Sequence, residues 1–464
     1  MVLKYKLIWI LCFGMFMNVN GQNDSTFSMS LQQCIDYGVA NNMQQLIGKS
    51  DIEIAKQDVR EVKAMGLPQI NAGANFTHNL KIATQVLPDF ISPSVYGVLY
   101  QEDVLDPQTN PLPVLGSNPV QFGVPYSFTA SASLRQLIFD GTYFLGLKAA
   151  SQYVEMSKLQ SEKNTVDLKE NIVKSYLLIL TTQENGRLIN DNMAIVDKTL
   201  REVKALYKNG FAEKLDVDRV ELSKSSLVIR KKSIAQQIEI LSQSLKLNMG
   251  MDVNAQLTLT DSLNGLIKSD LVANSSLNVK ELPDYKILAQ NQKLQELNKD
   301  RYKVGRYPNV MLNATYGQQS FGNKGSVGDL TKDFFPLSNY QISVGVPIWD
   351  GNARRAQIAK VEQNLVKNEL MMQNLENLAK LQYNSALSKY NTSLELMDLQ
   401  KKNLAIALDI YKKAGIKFKE GIGSSLELAQ AENDYKAAQV GYLNSIYDLL
   451  VANVELKKST GQLN

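Results

Sequence analysis

Four stretches of this chain alternate apolar and polar side chains with a period of two, as strands with one apolar face do. In the last, Tyr340, Ile342, Val344, Val346 and Ile348 share one face, and Gln341, Ser343 and Gly345 the other. The second sets Tyr126, Phe128, Ala130, Ala132 and Leu134 against Ser127, Thr129, Ser131, Ser133 and Arg135. The first opposes Ile70, Ala72, Ala74 and Phe76 to Asn71, Gly73 and Asn75. The third opposes Val310, Leu312, Ala314 and Tyr316 to Asn309, Asn313 and Thr315. Each stretch is about ten residues, the length of a tilted strand crossing a bilayer. A soluble sheet with one wet face carries the same pattern. Phe139 and Trp349 stand at equivalent strand ends, where an aromatic girdle would meet a membrane interface.

Between these stretches the apolar period becomes helical. All twelve prolines lie at 68 to 125, at 283 and 308, or at 336 and 347. Proline breaks helix interiors, so the proline-free tracts are open to long helices. The pattern predicts helices over 142–209 and 352–419, each roughly 100 Å long at 1.5 Å per residue. Gly210 and Gly421 end them as residues suited to the left-handed conformation after a helix. Shorter helices run back over 213–249 and 424–460, and others are predicted over 30–65 and 284–305. Ser424-Ser425-Leu426-Glu427 offers a capping box. From Leu394 to Lys413, Leu396, Leu399, Ile406 and Ile410 form one stripe. Met397, Leu404, Leu408 and Tyr411 form another, about 130° away. Two stripes imply two neighbours, as for a stave in a wall; a coiled-coil bundle with a blurred heptad is the alternative. In a closed ring the narrow angle between stripes faces inward, which assigns Gln400, Asn403 and Ala407 to a lumen. Ser343 is assigned to the lumen of a barrel on the strand pattern.

The stretches also repeat. Leu67-Pro68-Gln69-Ile70 aligns with Tyr307-Pro308-Asn309-Val310, and Ile138-Phe139-Asp140-Gly141 with Ile348-Trp349-Asp350-Gly351. Tyr207-Lys208-Asn209-Gly210 aligns with Phe418-Lys419-Glu420-Gly421. The chain thus reads as an internal duplication of a unit of about 200 residues, built about a pseudo-symmetry axis. One copy spans a first β-hairpin (66–139, with a long loop at 79–125) and a long helical hairpin (140–250). Residues 251–281 join the copies, with a short strand at Leu257 to Leu259. The second copy follows as a helix (282–306), a β-hairpin (307–350), a helical hairpin (351–461) and a tail (462–464). Residues 22–65 hold an N-terminal segment and the first helix.

Composition narrows the function. Lys4 and Lys6 precede an apolar run, Leu7 to Met17, and Val19-Asn20-Gly21 precedes a cut at Gln22, so residues 1–21 read as a secretory signal peptide. An uncleaved anchor is the other reading. Past it Cys34 is the single cysteine, so no internal disulfide forms. Net charge falls from +4 to +2 without the signal, which is no nucleic-acid signature. One histidine and one cysteine leave little for a metal centre or nucleophile, and no phosphate loop appears, so no enzyme and no cofactor are expected. Four strands cannot close, and an unclosed edge is not tolerated in lipid. Two chains would give eight strands and a filled bore; three would give twelve and a passage.

On these motifs, with Pro347-Ile348-Trp349-Asp350-Gly351 and the run Phe418-x-x-Gly421-x-x-Ser424-x-x-Glu427, the chain resembles the TolC-like outer membrane efflux family. The resemblance implies an α+β membrane protein of the cell outer membrane. That protein is a homotrimer, its twelve-stranded β-barrel continued by a twelve-helix periplasmic α-barrel. It implies a periplasmic adaptor protein and an inner-membrane pump of RND or ABC type as partners, with outer-membrane lipid around the strands. It places the adaptor contact and gate at two tips, among Asn209, Gly210, Phe211, Glu420, Gly421, Ile422, Ser424 and Glu427. Glu427 matches a place where acids ring the entrance, or is a helix cap only. Segment 251–281 would belong to a belt around the tunnel, and 79–125 would be an extracellular loop or a linker. The competing readings are a coiled-coil scaffold without a pore and a periplasmic enzyme; the first leaves the strand pairs unexplained and the second lacks a catalytic constellation.

Overall fold

The computed structural model describes residues 26–89, 91–112, 116–269, 276–323 and 333–463. The signal-peptide reading of 1–21 lies outside them. Two compact units are built from interleaved segments, and the boundaries between them fall inside four helices.

One unit (57–151 and 296–362) is organised by an antiparallel sheet. Its strands are β2 (Gln69–His78), β5 (Tyr126–Phe139), β7 (Asn309–Gly322) and β8 (Phe335–Gly345), in the order β2-β5-β7-β8. Register decides what the period-two pattern means. Ile70 pairs with Leu134 and Leu134 with Ala314; Ala314 in turn pairs with Tyr340. Directly paired residues project to the same face. The four alternations therefore align, giving one apolar and one polar sheet face. All ten residues of β2 are exposed, and among the described residues both β2 and β8 have one free edge. β5 and β8 run parallel, so Phe139 and the exposed Trp349, four residues beyond β8, follow the same end of the sheet.

The 79–125 connection is folded. β3 (Thr84–Pro88) pairs with β4 (Ser117–Gln121) and α3 (Ile91–Gln101) follows β3. Asp89 starts that helix: its carboxylate accepts from the Ile91 and Ser92 amides and, at 2.6 Å, from the Ser92 hydroxyl. Those bonds, the hydroxyl's first, hold its pKa below the usual carboxylate range.

The other unit (residues up to 56, 152–295 and from 363) is helical. α4 (Gly141–Lys208) and α5 (Lys214–Met249) have near-equal counterparts in α8 (Ala353–Lys419) and α9 (Ser425–Ser459). Its main core gathers Ile172, Tyr176 and Leu177 of α4, Leu245 and Met249 of α5, and Leu443, Ile446 and Leu450 of α9. Each such side chain, fully buried, is worth about 1.5–3 kcal/mol. A parallel ladder of β1 (Thr26–Met29) and β6 (Gln256–Leu259) lies against it, with α6 (Leu263–Ser269) following. Asp261 ties these together, accepting from the Tyr176 hydroxyl at 2.9 Å and the Leu31 amide at 2.7 Å. The helix between that connection and β7 is α7 (Pro283–Val304).

The single helix expected over 30–65 is two: α1 (Leu31–Asn41) and α2 (Met43–Ala64). Asn42 leaves the helical region (ψ 134°), accepts from the Gln44 amide at 2.8 Å and donates to the Asn248 carbonyl at 2.6 Å. Gly250 lies against this break at φ 73°, and a Cβ there would stand 2.3 Å from the Asn41 carbonyl oxygen. Asparagine, which competes for backbone hydrogen bonds, makes the break.

Three lysines bind three carboxylates across α4, α8 and α9. Lys458 reaches Asp167 and Glu170, each at 2.6 Å, and Lys174 bridges Glu170 (2.7 Å) and Glu455 (3.0 Å). Lys389 also holds Glu455, at 2.9 Å. Burial alone would raise the pKa of Glu170, but the hydrogen bonds from Lys174 and Lys458 outweigh it and hold the carboxyl below its usual range. A carboxyl with a depressed folded pKa contributes stability above its unfolded value, about 4.3, and loses it as pH falls through the folded one. Glu170→Gln should therefore destabilise the detergent-solubilised protein by about 1–3 kcal/mol at neutral pH. Thermal unfolding followed from pH 7 down to pH 3 should show that deficit vanish at the acid end.

Candidate functional site: the helix tips

Two helix-to-helix turns bring together the residues singled out from the sequence. After α4, Gly210 takes φ 78°, and the Phe211 amide bonds the Leu206 carbonyl at 2.9 Å. After α8, Gly421 takes φ 73°, and the Ile422 amide bonds the Lys417 carbonyl at 3.1 Å. These are 6→1 closures around a left-handed glycine, the Schellman arrangement. Each turn thrusts one bulky apolar side chain into the open: Phe211 is 80% exposed and Ile422 79%. Leu215 and Leu426, one turn into the returning helices, are exposed too. Asn209 and Glu420 precede the glycines and are exposed.

Half of the capping box forms. The Ser424 hydroxyl accepts from the Glu427 amide at 3.1 Å, while the Glu427 carboxylate turns to Lys417 at 2.9 Å. Ser424 thus starts α9, and Lys417 balances the charge of Glu427 in its first turn. The two hairpins are also bonded to each other. Arg219 of α5 donates to the Ser425 hydroxyl of α9 at 2.9 Å, and that hydroxyl donates to Asp216 of α5. Seven residues along, Ser223 of α5 meets Glu432 of α9 at 3.1 Å, with Lys436 of α9 on both. Lys419 of α8 reaches Glu202 of α4 at 3.5 Å, and Asn192 of α4 donates to Gln439 of α9 at 2.9 Å. Tyr411 stacks on Tyr435 with ring centroids 5.6 Å apart; burial, then the Glu432 charge, pushes its hydroxyl up to about 12.

Sequence reasoning did not reach this set, since Asp216, Arg219, Ser425 and Glu432 look like ordinary polar positions on helices. The signal lay in equivalence: Asp216 and Arg219 of one hairpin meet Ser425 at the start of the other's returning helix.

The residues assigned to a lumen are spread wider. Ser343 is half-buried and pairs with Met311 on the polar sheet face. On α8, Asn403 is exposed and Ala407 half-buried, while Gln400 lies against α9, its amide oxygen 3.2 Å from where a Cβ on Gly441 would stand. Of the two stripes, Met397 and Tyr411 pack within the chain, whereas Leu396, Leu399, Ile406 and Ile410 lie open. Among the described residues no helix is long and apolar enough to cross a membrane, and no group of three metal-binding side chains occurs.

Comparison with known proteins places this architecture. CusC, solved in crystal structures addressing folding and transmembrane channel formation, superposes with a TM-score of 0.73 at 14% identity, over 94% of this chain and 93% of that one. The open state of the Neisseria gonorrhoeae MtrE outer membrane channel gives 0.71 at 15% identity, over 94% and 89%. Nearly the whole chain thus has the fold of these channels. Residues 286–462 match the family described as Outer membrane efflux protein. The outer membrane efflux protein BepC of Brucella suis biovar 1 (strain 1330) is 20% identical over 347 residues, 72% of each chain. The family that the motifs resemble is thus the one whose description matches residues 286–462, and the fold of the chain is that of outer membrane channels.

The Ser425 hydroxyl is the one link that both accepts from Arg219 and donates to Asp216. Ser425→Ala should weaken the coupling between hairpins by about 0.5–1.5 kcal/mol. Spin labels on the two tips should report a broader distance distribution in this variant, with an unchanged fold by circular dichroism.

Proposed function

We propose that the chain is the outer-membrane exit duct of a tripartite efflux or type I secretion system, passively conducting cargo that an inner-membrane pump delivers. The observation that carries this reading is the sheet: four strands with a mainly apolar face and, among the described residues, two free edges. In lipid every backbone polar group must be paired. Copies of the chain satisfy this by joining β8 of one to β2 of the next. Three copies give twelve strands, and the open stripe Leu396, Leu399, Ile406 and Ile410 gives each long helix a neighbour from another copy. The near-equal lengths of the two helical hairpins support a duplicated unit that lays four helices per chain into a twelve-helix periplasmic tunnel. Phe139 and Trp349 then mark the periplasmic interface of the membrane, and the 79–125 insert lies outside the cell.

The tips serve as adaptor contact and gate. Exposed Phe211 and Ile422 supply apolar anchors for a periplasmic adaptor, and the bonds between hairpins hold the closed arrangement until it docks. The pump, of RND or ABC type, supplies the energy. A scaffold without a pore leaves the apolar sheet face and its unpaired edges without a purpose.

Two variants test the faces, and cross-linking tests the assembly. Val344→Arg puts a charge on the apolar face and should cost roughly 2–4 kcal/mol per chain near the midplane, with loss of membrane assembly. Ser343→Arg, on the polar face, should assemble normally. Wild-type protein cross-linked in detergent should run as a trimer; a lipid-inserted monomer, or equal behaviour of the two arginine variants, would contradict the barrel.

Gly421→Val meets open space, so its cost is the left-handed backbone alone, about 1–3 kcal/mol. Drug-accumulation assays should show efflux lost while trimer yield and membrane insertion stay normal.

A further inference from the structure

The four strands of the sheet hold a single side chain of fixed charge among the described residues, Arg135 of β5. It lies on the polar face, four residues from the end of β5 that runs into α4. Its paired neighbours are Gln69 of β2 and Asn313 of β7, and Asn313 pairs in turn with Gln341 of β8. The row across the sheet is thus neutral amide, guanidinium, amide, amide. One row toward the insert lies Asn71-Ser133-Thr315-Asn339, again without charge. Among the described residues no carboxylate pairs with Arg135. Its recorded partner is the Met311 sulfur at 3.7 Å, a weak acceptor.

The other arginines of the chain lie on helices or turns, and some of them are held near carboxylates. Arg187 is held by Glu184 and Asp191, Arg354 by Asp350, and Arg219 by Ser425 beside Asp216. Arg135 keeps its charge, since a guanidinium does not deprotonate in proteins, and its planar fork matches carboxylate and phosphate oxygens. Closing the sheet with two further copies turns one arginine into a ring of three, set in a wall whose described strand residues carry no other fixed charge on this face. Low-dielectric walls focus such a field along the bore, and rings of arginine or lysine select anions in pores.

We propose that Arg135 forms an anion-recognising ring in the lumen of the barrel, favouring cargo that carries carboxylate or phosphate groups. The proposal rests on the duct reading above, because one chain supplies only a third of the ring. The acids of the insert, Asp89, Glu102, Asp103 and Asp106, follow the opposite end of the strands and are common to every variant compared below.

The test uses full-length trimers at low ionic strength, where screening is least. Binding of inorganic tripolyphosphate to detergent-solubilised trimers is measured by calorimetry, which needs no open gate. Wild type should bind at least tenfold more tightly than Arg135→Gln, with Arg135→Lys between them. In planar bilayers under a potassium chloride gradient, the reversal potential of Arg135→Gln should move toward cation preference, and that of Arg135→Glu further. Trimers that conduct normally but bind tripolyphosphate equally well with arginine or glutamine, or share one reversal potential, would overturn the ring and leave the duct intact. Wild type and all variants failing to conduct even with the tip disrupted by Gly421→Val would overturn the duct, and the ring with it.

Discussion

An unpaired strand edge beside an apolar face is the constraint on which this molecule turns. In water such an edge is tolerable, because solvent completes its hydrogen bonds. In hydrocarbon each missing bond costs several kcal/mol. The sheet β2-β5-β7-β8 has both features at once: an apolar face that asks for lipid and two edges that lipid cannot satisfy. Neither can be accommodated by one chain. On the proposed duct reading assembly becomes part of folding, and the exposed apolar stripe Leu396, Leu399, Ile406 and Ile410 belongs to the same requirement.

The helical unit meets a different demand. Its core, around Ile172, Tyr176, Leu245 and Leu449, is dry and close-packed, and a lysine–carboxylate network ties α4, α8 and α9 together beside it. Toward the tips, hydroxyls and exposed or half-exposed ion pairs join the hairpins instead. Surface pairs of this kind contribute little each, about 0–1 kcal/mol. Firm packing at one end and weak, separable bonds at the other suit the proposed gate, in which helix ends part while their middle holds.

Much of this was legible because two periodicities are unambiguous in the sequence. Ile342 and Val344 alternate with Gln341 and Ser343, and register lines up Ile70, Leu134, Ala314 and Tyr340 on one face. The glycines at 210 and 421 match each other in the repeat at the ends of the two long helices, and both take the left-handed backbone. Features that hinge on one side-chain hydrogen bond were not legible. Asn42 divides a helix by bonding to Asn248, and Asp89 folds a proline-rich stretch by capping α3. Ser425 is one serine among many until α5 is placed beside it. Such bonds depend on which elements become neighbours, and periodicity does not carry that information. Gln400 illustrates the same limit: helical geometry places it between two stripes, but packing turns its amide toward Gly441.

Hydrogen exchange of the protein in lipid bilayers tests the central constraint most directly. Among the described residues no strand pairs the outer edges of β2 and β8. If copies close the sheet edge to edge, these amides should exchange as slowly as those of the interior strands β5 and β7, over hours or longer. Rapid exchange at β2 and β8, with β5 and β7 protected, would mean that the edges stay open and that the sheet does not form a shared barrel.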